Sequence, residues 1–188
     1  VNVPGTVTAG QPTEISWTIL NDGSQPIDGI LDAEIFLADD AAGTNAVSLL
    51  VTEGEAVSLG IGDTVDQFAS VVFPASTLGA RFLIIHTNVG GGVDEVDATG
   101  DNVSDGVATT VEAADLVPVS AAITSVEPIF GRSVEITYSV RNDGTAATCT
   151  GWQDRLELVR ESNGVSAEIV TVAAPSADLP LAGSGTSY

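Results

Sequence analysis

The densest group of side chains that could do chemistry is an acidic segment near the middle of the chain. Its five carboxylates lie within twelve residues: Asp94, Glu95, Asp97, Asp101 and Asp105. Calcium takes about six to eight oxygen ligands in flexible geometry, so the segment predicts a calcium site. Calcium is the only cofactor that the sequence suggests. A solvated acidic turn between two strands is the alternative, since Gly100 does not fall where an EF-hand loop needs its glycine. Asp39 and Asp40 form a second, weaker candidate.

The single histidine and the single cysteine limit other chemistry. His86 and Cys149 cannot build the usual structural zinc site, and one cysteine cannot form an internal disulfide. His86 ends an apolar run that predicts a strand, so we expect a histidine on a strand face. Cys149 lies among alanines and threonines, which favours a half-buried structural thiol. Nothing supplies a nucleophile, an acid and a base together, and we expect a protein that is not an enzyme.

The composition is strongly acidic. Among the 188 residues, 26 are Asp or Glu and five are basic, all of them arginine, which gives a net charge of −21. Phosphate binding needs clustered Lys and Arg, so we expect no nucleic-acid partner and no docking on anionic lipid. The sequence has no apolar span of about 18 residues, so we expect no membrane insertion. Acidic, lysine-free surfaces stay hydrated at high ionic strength, which favours a saline or calcium-rich exterior.

The most informative pattern is an internal repeat. Residues 10–23 align with residues 131–144 at a constant offset of 121 positions, and both copies end in Asn-Asp-Gly. In each copy the apolar residues alternate: Ile15, Trp17 and Ile19 in the first, and Ile136, Tyr138 and Val140 in the second. A period of two predicts a half-buried strand, and Asn-Asp-Gly predicts a turn. The sequence therefore contains one strand-based module twice.

Three aromatic residues could form a sugar-stacking platform or belong to a core. Trp17 and Tyr138 occupy the same repeat position between aliphatic neighbours, which favours the core. Trp152 stands near Asp154 at a strand entrance and leaves both interpretations open.

The second copy is expected to be incomplete. Residues 59–64 resemble residues 181–186, but the first copy continues through further strands whereas the chain ends at Tyr188. The first copy lacks the beginning of the segment that opens the second copy. The chain also starts without methionine, so we expect a mature or excised piece. The predicted modules are residues 1–113 and 114–188.

Short apolar runs separated by Gly, Asn, Asp and Pro are typical of an antiparallel sandwich. Seven strands are predicted in the first module, near residues 1–8, 12–20, 31–38, 46–51, 65–73, 80–88 and 103–112. This is the strand number of an immunoglobulin-like sandwich. The fold class predicted is all-β, with two tandem immunoglobulin-like antiparallel β-sandwich modules, the second incomplete at its C-terminal end.

These residues resemble a known family, the cell-adhesion-related domain found in bacteria (CARDB). The matching segments are residues 115–118 (Asp-Leu-Val-Pro), 142–144 (Asn-Asp-Gly), 152–154 (Trp-Gln-Asp), 59–62 (Leu-Gly-Ile-Gly), Pro74 with 79–83, and the acidic 93–97 followed by Asp101-Asn102. The first module departs from the pattern, with Ile30 where the tryptophan would be. The resemblance implies seven-stranded sandwiches repeated in long secreted or surface proteins of bacteria and archaea, with no catalytic residues.

We therefore expect a non-enzymatic structural or adhesive repeat segment of a long extracellular prokaryotic surface protein or fibre. Its partners would be neighbouring repeats, other copies of the protein, or a surface glycan or other cell-surface ligand. One alternative is a filament subunit that strand donation between copies completes. Another is an accessory module of a secreted hydrolase, which would act in carbohydrate binding.

Overall fold

The computed structural model describes residues 1–94, 102–125, 133–148, 151–159, 162–174 and 180–187. Apart from one three-residue 3-10 helix, the regular structure in these ranges is β-strand, which confirms the predicted all-β class. None of the described residues belongs to a helix long and apolar enough to cross a membrane. The chain divides into two compact units, unit 1 (Val1–Glu112) and unit 2 (Ala113–Tyr188).

Unit 1 contains nine strands within its described residues. They are β1 (Thr6–Thr8), β2 (Pro12–Leu20), β3 (Ile27–Leu31), β4 (Ala33–Ala38), β5 (Val47–Val51), β6 (Glu55–Leu59), β7 (Thr64–Val72), β8 (Gly79–Thr87) and β9 (Val107–Glu112), with the 3-10 helix Ala75–Thr77 before β8. One sheet has the order β1-β9-β8-β4-β5, and β2-β7 and β3-β6 form two-stranded sheets. All pairs are antiparallel except β1 with β9.

The core of unit 1 lies between the five-stranded sheet and the β2-β7 pair. Alternate residues of each strand face inward, because successive side chains of a strand point to opposite faces. The buried cluster includes Ile15 and Trp17 from β2, Ile35 and Leu37 from β4, Leu83 and Ile85 from β8, Val111 from β9, and Phe73. The two sheets share these side chains as one core, which is the sandwich predicted from the sequence.

The prediction of seven strands in the first module was wrong, because β3 and β6 were missed. They pair with each other and bury a separate small cluster of Leu31, Val57 and Val93. The sequence pattern did not predict β3 because the strand contains Gly29, and glycine is depleted in strands. Glycine is needed there because a Cβ would lie 2.6 Å from the carbonyl oxygen of Gly92.

Unit 2 contains five strands within its described residues. They are β10 (Leu116–Ile123), β11 (Ile136–Asn142), β12 (Gln153–Val159), β13 (Ser166–Ala173) and β14 (Thr186–Ser187). They form the sheets β10-β11-β14 and β12-β13. The β12 strand pairs with β13 alone among these strands, whereas its unit 1 counterpart β4 is flanked by both β5 and β8.

Candidate functional site

The predicted calcium ligands fall mostly beyond what the structure describes. Asp94 and Asp105 are described and exposed, and Glu95, Asp97 and Asp101 lie outside the described residues. Within the described ranges no three His, Cys, Asp or Glu side chains come together in a group that could hold a metal ion. The calcium site stays a prediction.

Fixed turns hold both ends of this acidic segment against β8. On the outgoing side, the Asn88 amide donates to the Val93 carbonyl at 2.8 Å and accepts the Val93 N–H at 3.1 Å. The Gly90 N–H lies 3.0 and 2.9 Å from the two carboxylate oxygens of Asp32. On the return side, the Thr87 N–H donates to the Asn102 carbonyl at 2.8 Å. The positions where the segment leaves β8 and returns to it are therefore defined.

The second candidate pair, Asp39 and Asp40, closes the loop between β4 and β5. The Asp40 carboxylate accepts the backbone N–H and the hydroxyl of Thr44, at 3.0 and 2.7 Å. These hydrogen bonds, the backbone one foremost, lower the pKa of the Asp40 carboxyl below its ordinary value. Asp39 lies 3.1 Å from the guanidinium of Arg81 and accepts the Asn45 amide at 2.8 Å. Both carboxylates therefore hold the loop together.

The remaining candidate residues occupy structural positions. His86 is half-buried on β8, with its ring centroid 4.6 Å from that of Phe36, which confirms a histidine on a strand face. Trp17 is buried in the core as expected. Tyr138 and Trp152 are half-buried, and Cys149 lies outside the described residues.

The sequence did not predict the polar clamp formed by Asn21 at the end of β2. This buried side chain donates to the carbonyl oxygens of Gln25, Leu59 and Gly60 at 3.0, 3.1 and 3.1 Å. Its own oxygen accepts the N–H of Gly23 at 3.2 Å. The two hydrogens of this amide are shared among three buried or half-buried acceptors, and they join the end of β2 to the end of β6.

Asn142 forms the same clamp in unit 2. Its fully buried amide donates to the carbonyl oxygens of Ala146 and Leu181 at 2.8 and 3.1 Å. Its oxygen accepts the N–H groups of Gly144 and Asp115 at 3.1 and 2.9 Å. The available signal was the recurrence of Asn-Asp-Gly together with the recurrence of the Leu59 and Leu181 segments, which are the partners of the two amides.

Unit 2 also has an apolar groove. It lies between the β10-β11 sheet and β12 and has a volume of about 470 Å³. Its apolar lining includes Ile123, Ile136, Tyr138, Leu156 and Leu158. In the repeat alignment Leu158 corresponds to Leu37, yet Leu158 is 63% exposed whereas Leu37 is 1% exposed. The two units therefore differ at this repeat position, where the leucine is exposed in unit 2 and buried in unit 1.

Comparisons with solved structures concern the fold alone. The chain is similar to the CARDB domain of a Pyrococcus furiosus protein solved in complex with di-metal ions, with 15% identity, a TM-score of 0.41, and coverage of 58% of this chain and 82% of that one. It is also similar to an alkylpurine DNA glycosylase of Pseudomonas fluorescens bound to DNA containing an abasic site analog, with 17% identity, a TM-score of 0.35, and coverage of 57% of this chain and 27% of that one. No protein-family model matches the chain, and no curated protein matches it in sequence.

Proposed function

We propose that this chain is a non-enzymatic structural and adhesive repeat segment of a long extracellular prokaryotic surface protein. The observation that carries the proposal is the matching pair of clamps at Asn21 and Asn142. Two residues at the repeat distance of 121 positions make equivalent buried hydrogen bonds in two separately compact units. A compact module that carries its own polar clamp can be added in series, as the spacer of a stalk or fibre requires.

The acidic residues near the strand ends support a structural role. Besides Asp39 and Asp40, Asp63 accepts the Gly60 N–H at 2.9 Å in the turn before β7. Thr18 on β2 donates to Asp66 on β7 at 2.7 Å. These side chains stabilise turns and strand pairs of the module.

The surface charge supports an extracellular location. A net charge of −21 without lysine keeps a protein hydrated and discourages non-specific association. High ionic strength screens the self-repulsion, since the Debye length falls to about 3 Å at 1 M salt. The proposed partners are neighbouring repeats and a cell-surface ligand.

Two measurements on the source organism test the proposal. Antibodies raised against this chain should label intact cells, and surface proteolysis should remove the signal while a cytoplasmic marker survives. The native polypeptide should also migrate well above 19.0 kDa on denaturing gels because it carries further repeats. Labelling that needs permeabilised cells, or a native mass of 19.0 kDa, would overturn the stalk model.

A further inference from the structure

We propose that β1 and β9 form a force-bearing pair, so that tension between the two ends of unit 1 shears this pair along its length. The inference deepens the proposed function and rests on it for the source of the tension, because a spacer in a stalk is pulled along its chain. The evidence begins with the direction of the strands. They are parallel, whereas the other strand pairs that the structure describes are antiparallel.

The register of the pair fixes how tension acts on it. Thr6 at the start of β1 pairs with Thr110, and Thr8 at its end pairs with Glu112, the last residue of unit 1. The chain toward Val1 therefore leaves the pair at one end, and the chain toward unit 2 leaves it at the other. Pulling on both slides the strands past each other, so the evenly spaced hydrogen bonds between them are loaded together.

Two backbone hydrogen bonds extend the pair beyond its three register positions. At one end, the Thr110 N–H donates to the Gly5 carbonyl at 2.9 Å. At the other end, the Ala9 N–H donates to the Glu112 carbonyl at 2.7 Å. The contact that tension must break is therefore longer than the three-residue strand β1.

One face of the pair is buried in the core of unit 1. Val7 and Val111 are register partners with 4% and 2% exposure, and both belong to the core cluster. The Thr109 hydroxyl, on a buried side chain, donates to the Pro4 carbonyl at 2.8 Å. Breaking a buried hydrogen bond is costly because no water replaces the lost partner. Burial therefore strengthens the resistance of the pair to tension.

The neighbouring contacts determine the order in which the structure yields. β9 is held from its other side by β8, with which it pairs antiparallel at five positions. The segment before β1 is held by a bridge in which the Asn2 N–H donates to the Ser16 carbonyl at 2.6 Å and the Ser16 N–H donates to the Asn2 carbonyl at 3.1 Å. We expect this bridge to open first and the force-bearing pair to carry the tension next.

The first test changes the direction of pulling and leaves the strand pair intact. In a Cys149→Ser background, the full chain is held at constant force between two thiol handles. Handles at Val1→Cys and the exposed Ala114→Cys shear the pair, whereas handles at Val1→Cys and the exposed Asp105→Cys both pull from its Thr6 end and peel β1 away. We expect the lifetime of unit 1 at the same force to be about a hundredfold shorter in peeling, because about three hydrogen bonds no longer break together.

The second test removes one hydrogen bond from the pair. Val7 lies midway between Gly5 and Ala9, and alternate residues of a strand bond to the same neighbour, so Val7 directs its N–H at β9 and Thr6 directs its N–H away. We expect Val7→Pro to shorten the lifetime in shear by about two- to tenfold, the rate equivalent of one hydrogen bond. Thr6→Pro is the matched control and should change it little, because its N–H does not face β9.

A third variant keeps the test open if Val7→Pro does not fold. Thr109→Val keeps the size of the side chain and removes the hydroxyl that donates to Pro4. It should also shorten the lifetime in shear by about two- to tenfold. Urea unfolding of each variant, without force, checks that unit 1 is folded.

Two outcomes would overturn the proposal. One is an equal lifetime in the two pulling directions, and the other is a lifetime in shear that neither Val7→Pro nor Thr109→Val shortens. Both measurements use the purified chain, so they are independent of the labelling of cells. Labelling that needs permeabilised cells would remove the stalk and leave the force-bearing pair, whereas equal lifetimes would remove the force-bearing pair and leave the surface location.

Discussion

Asn21 and Asn142 lie 121 positions apart and share four hydrogen bonds of the same kind in two different units. Each side-chain amide donates to the residue four positions later and to a distant leucine, Leu59 or Leu181. Each backbone carbonyl accepts a glycine N–H at 2.8 Å, from Gly62 or Gly185. Both glycines have positive φ, at 79° and 87°, a region that other residues rarely adopt. The repeat is therefore preserved in hydrogen bonding as well as in apolar spacing.

Replacing either asparagine should destabilise the unit that contains it. Asn21→Ala leaves several carbonyl groups without their donor, and we expect a loss of about 1–3 kcal/mol in the free energy of unfolding. Asn142→Ala should act similarly on unit 2. Urea unfolding followed by fluorescence and circular dichroism measures the change. Asp22→Ala, at the exposed neighbour of Asn21, is the control, and an equal effect of the two substitutions would contradict the role of the clamp.

Trp17 illustrates what the sequence could predict. Its alternation with Ile15 and Ile19 defined a strand over residues 12–20 and its buried face, and the structure has β2 with those bounds. Period-two alternation is a local property, so short-range pattern suffices to place such a strand in a core.

The role of Asn21 could not be predicted in the same way. The Asn-Asp-Gly sequence specifies a turn locally, but the Leu59 carbonyl lies 38 positions further on. That contact depends on β3 and β6, which the sequence pattern did not predict.

Gly92 should tolerate no side chain, although it lies on the surface. A Cβ at this position would stand 2.2 Å from the carbonyl oxygen of Ile30, so backbone would have to move. We expect Gly92→Ala to cost about 1–3 kcal/mol of stability, in the range of overpacked sites. Gly5→Ala is the matched control, because a Cβ there meets nothing within 4 Å. Thermal melts that show the same midpoint for both variants would disprove the close approach.

The Asp40 carboxyl should make unit 1 sensitive to acid. Hydrogen bonds from Thr44 hold its folded-state pKa below the ordinary value of 3.8. A depressed pKa contributes stability that is fully present above the unfolded-state pKa and is lost as the pH falls through the folded-state pKa. The wild-type chain should therefore lose more stability than Asp40→Asn between about pH 5 and pH 2. Melts in steps of pH measure this, with Asp22→Asn as the control, and parallel curves for wild type and Asp40→Asn would contradict it.

Calcium should stabilise unit 1 if the acidic segment binds it. A ligand that binds only the folded state raises stability by about 2.7 kcal/mol at 100 times its dissociation constant. We expect the melting temperature to rise with millimolar Ca²⁺, less with Mg²⁺, and to return to its starting value with chelator. The paired substitution Asp94→Asn/Asp105→Asn should reduce the shift, whereas Asp22→Asn should leave it intact. A melting temperature that does not change in millimolar calcium would mean that the five carboxylates form a solvated turn. The hydrogen-bonded turns at Asn88 and Asn102 would then serve only to join two strands.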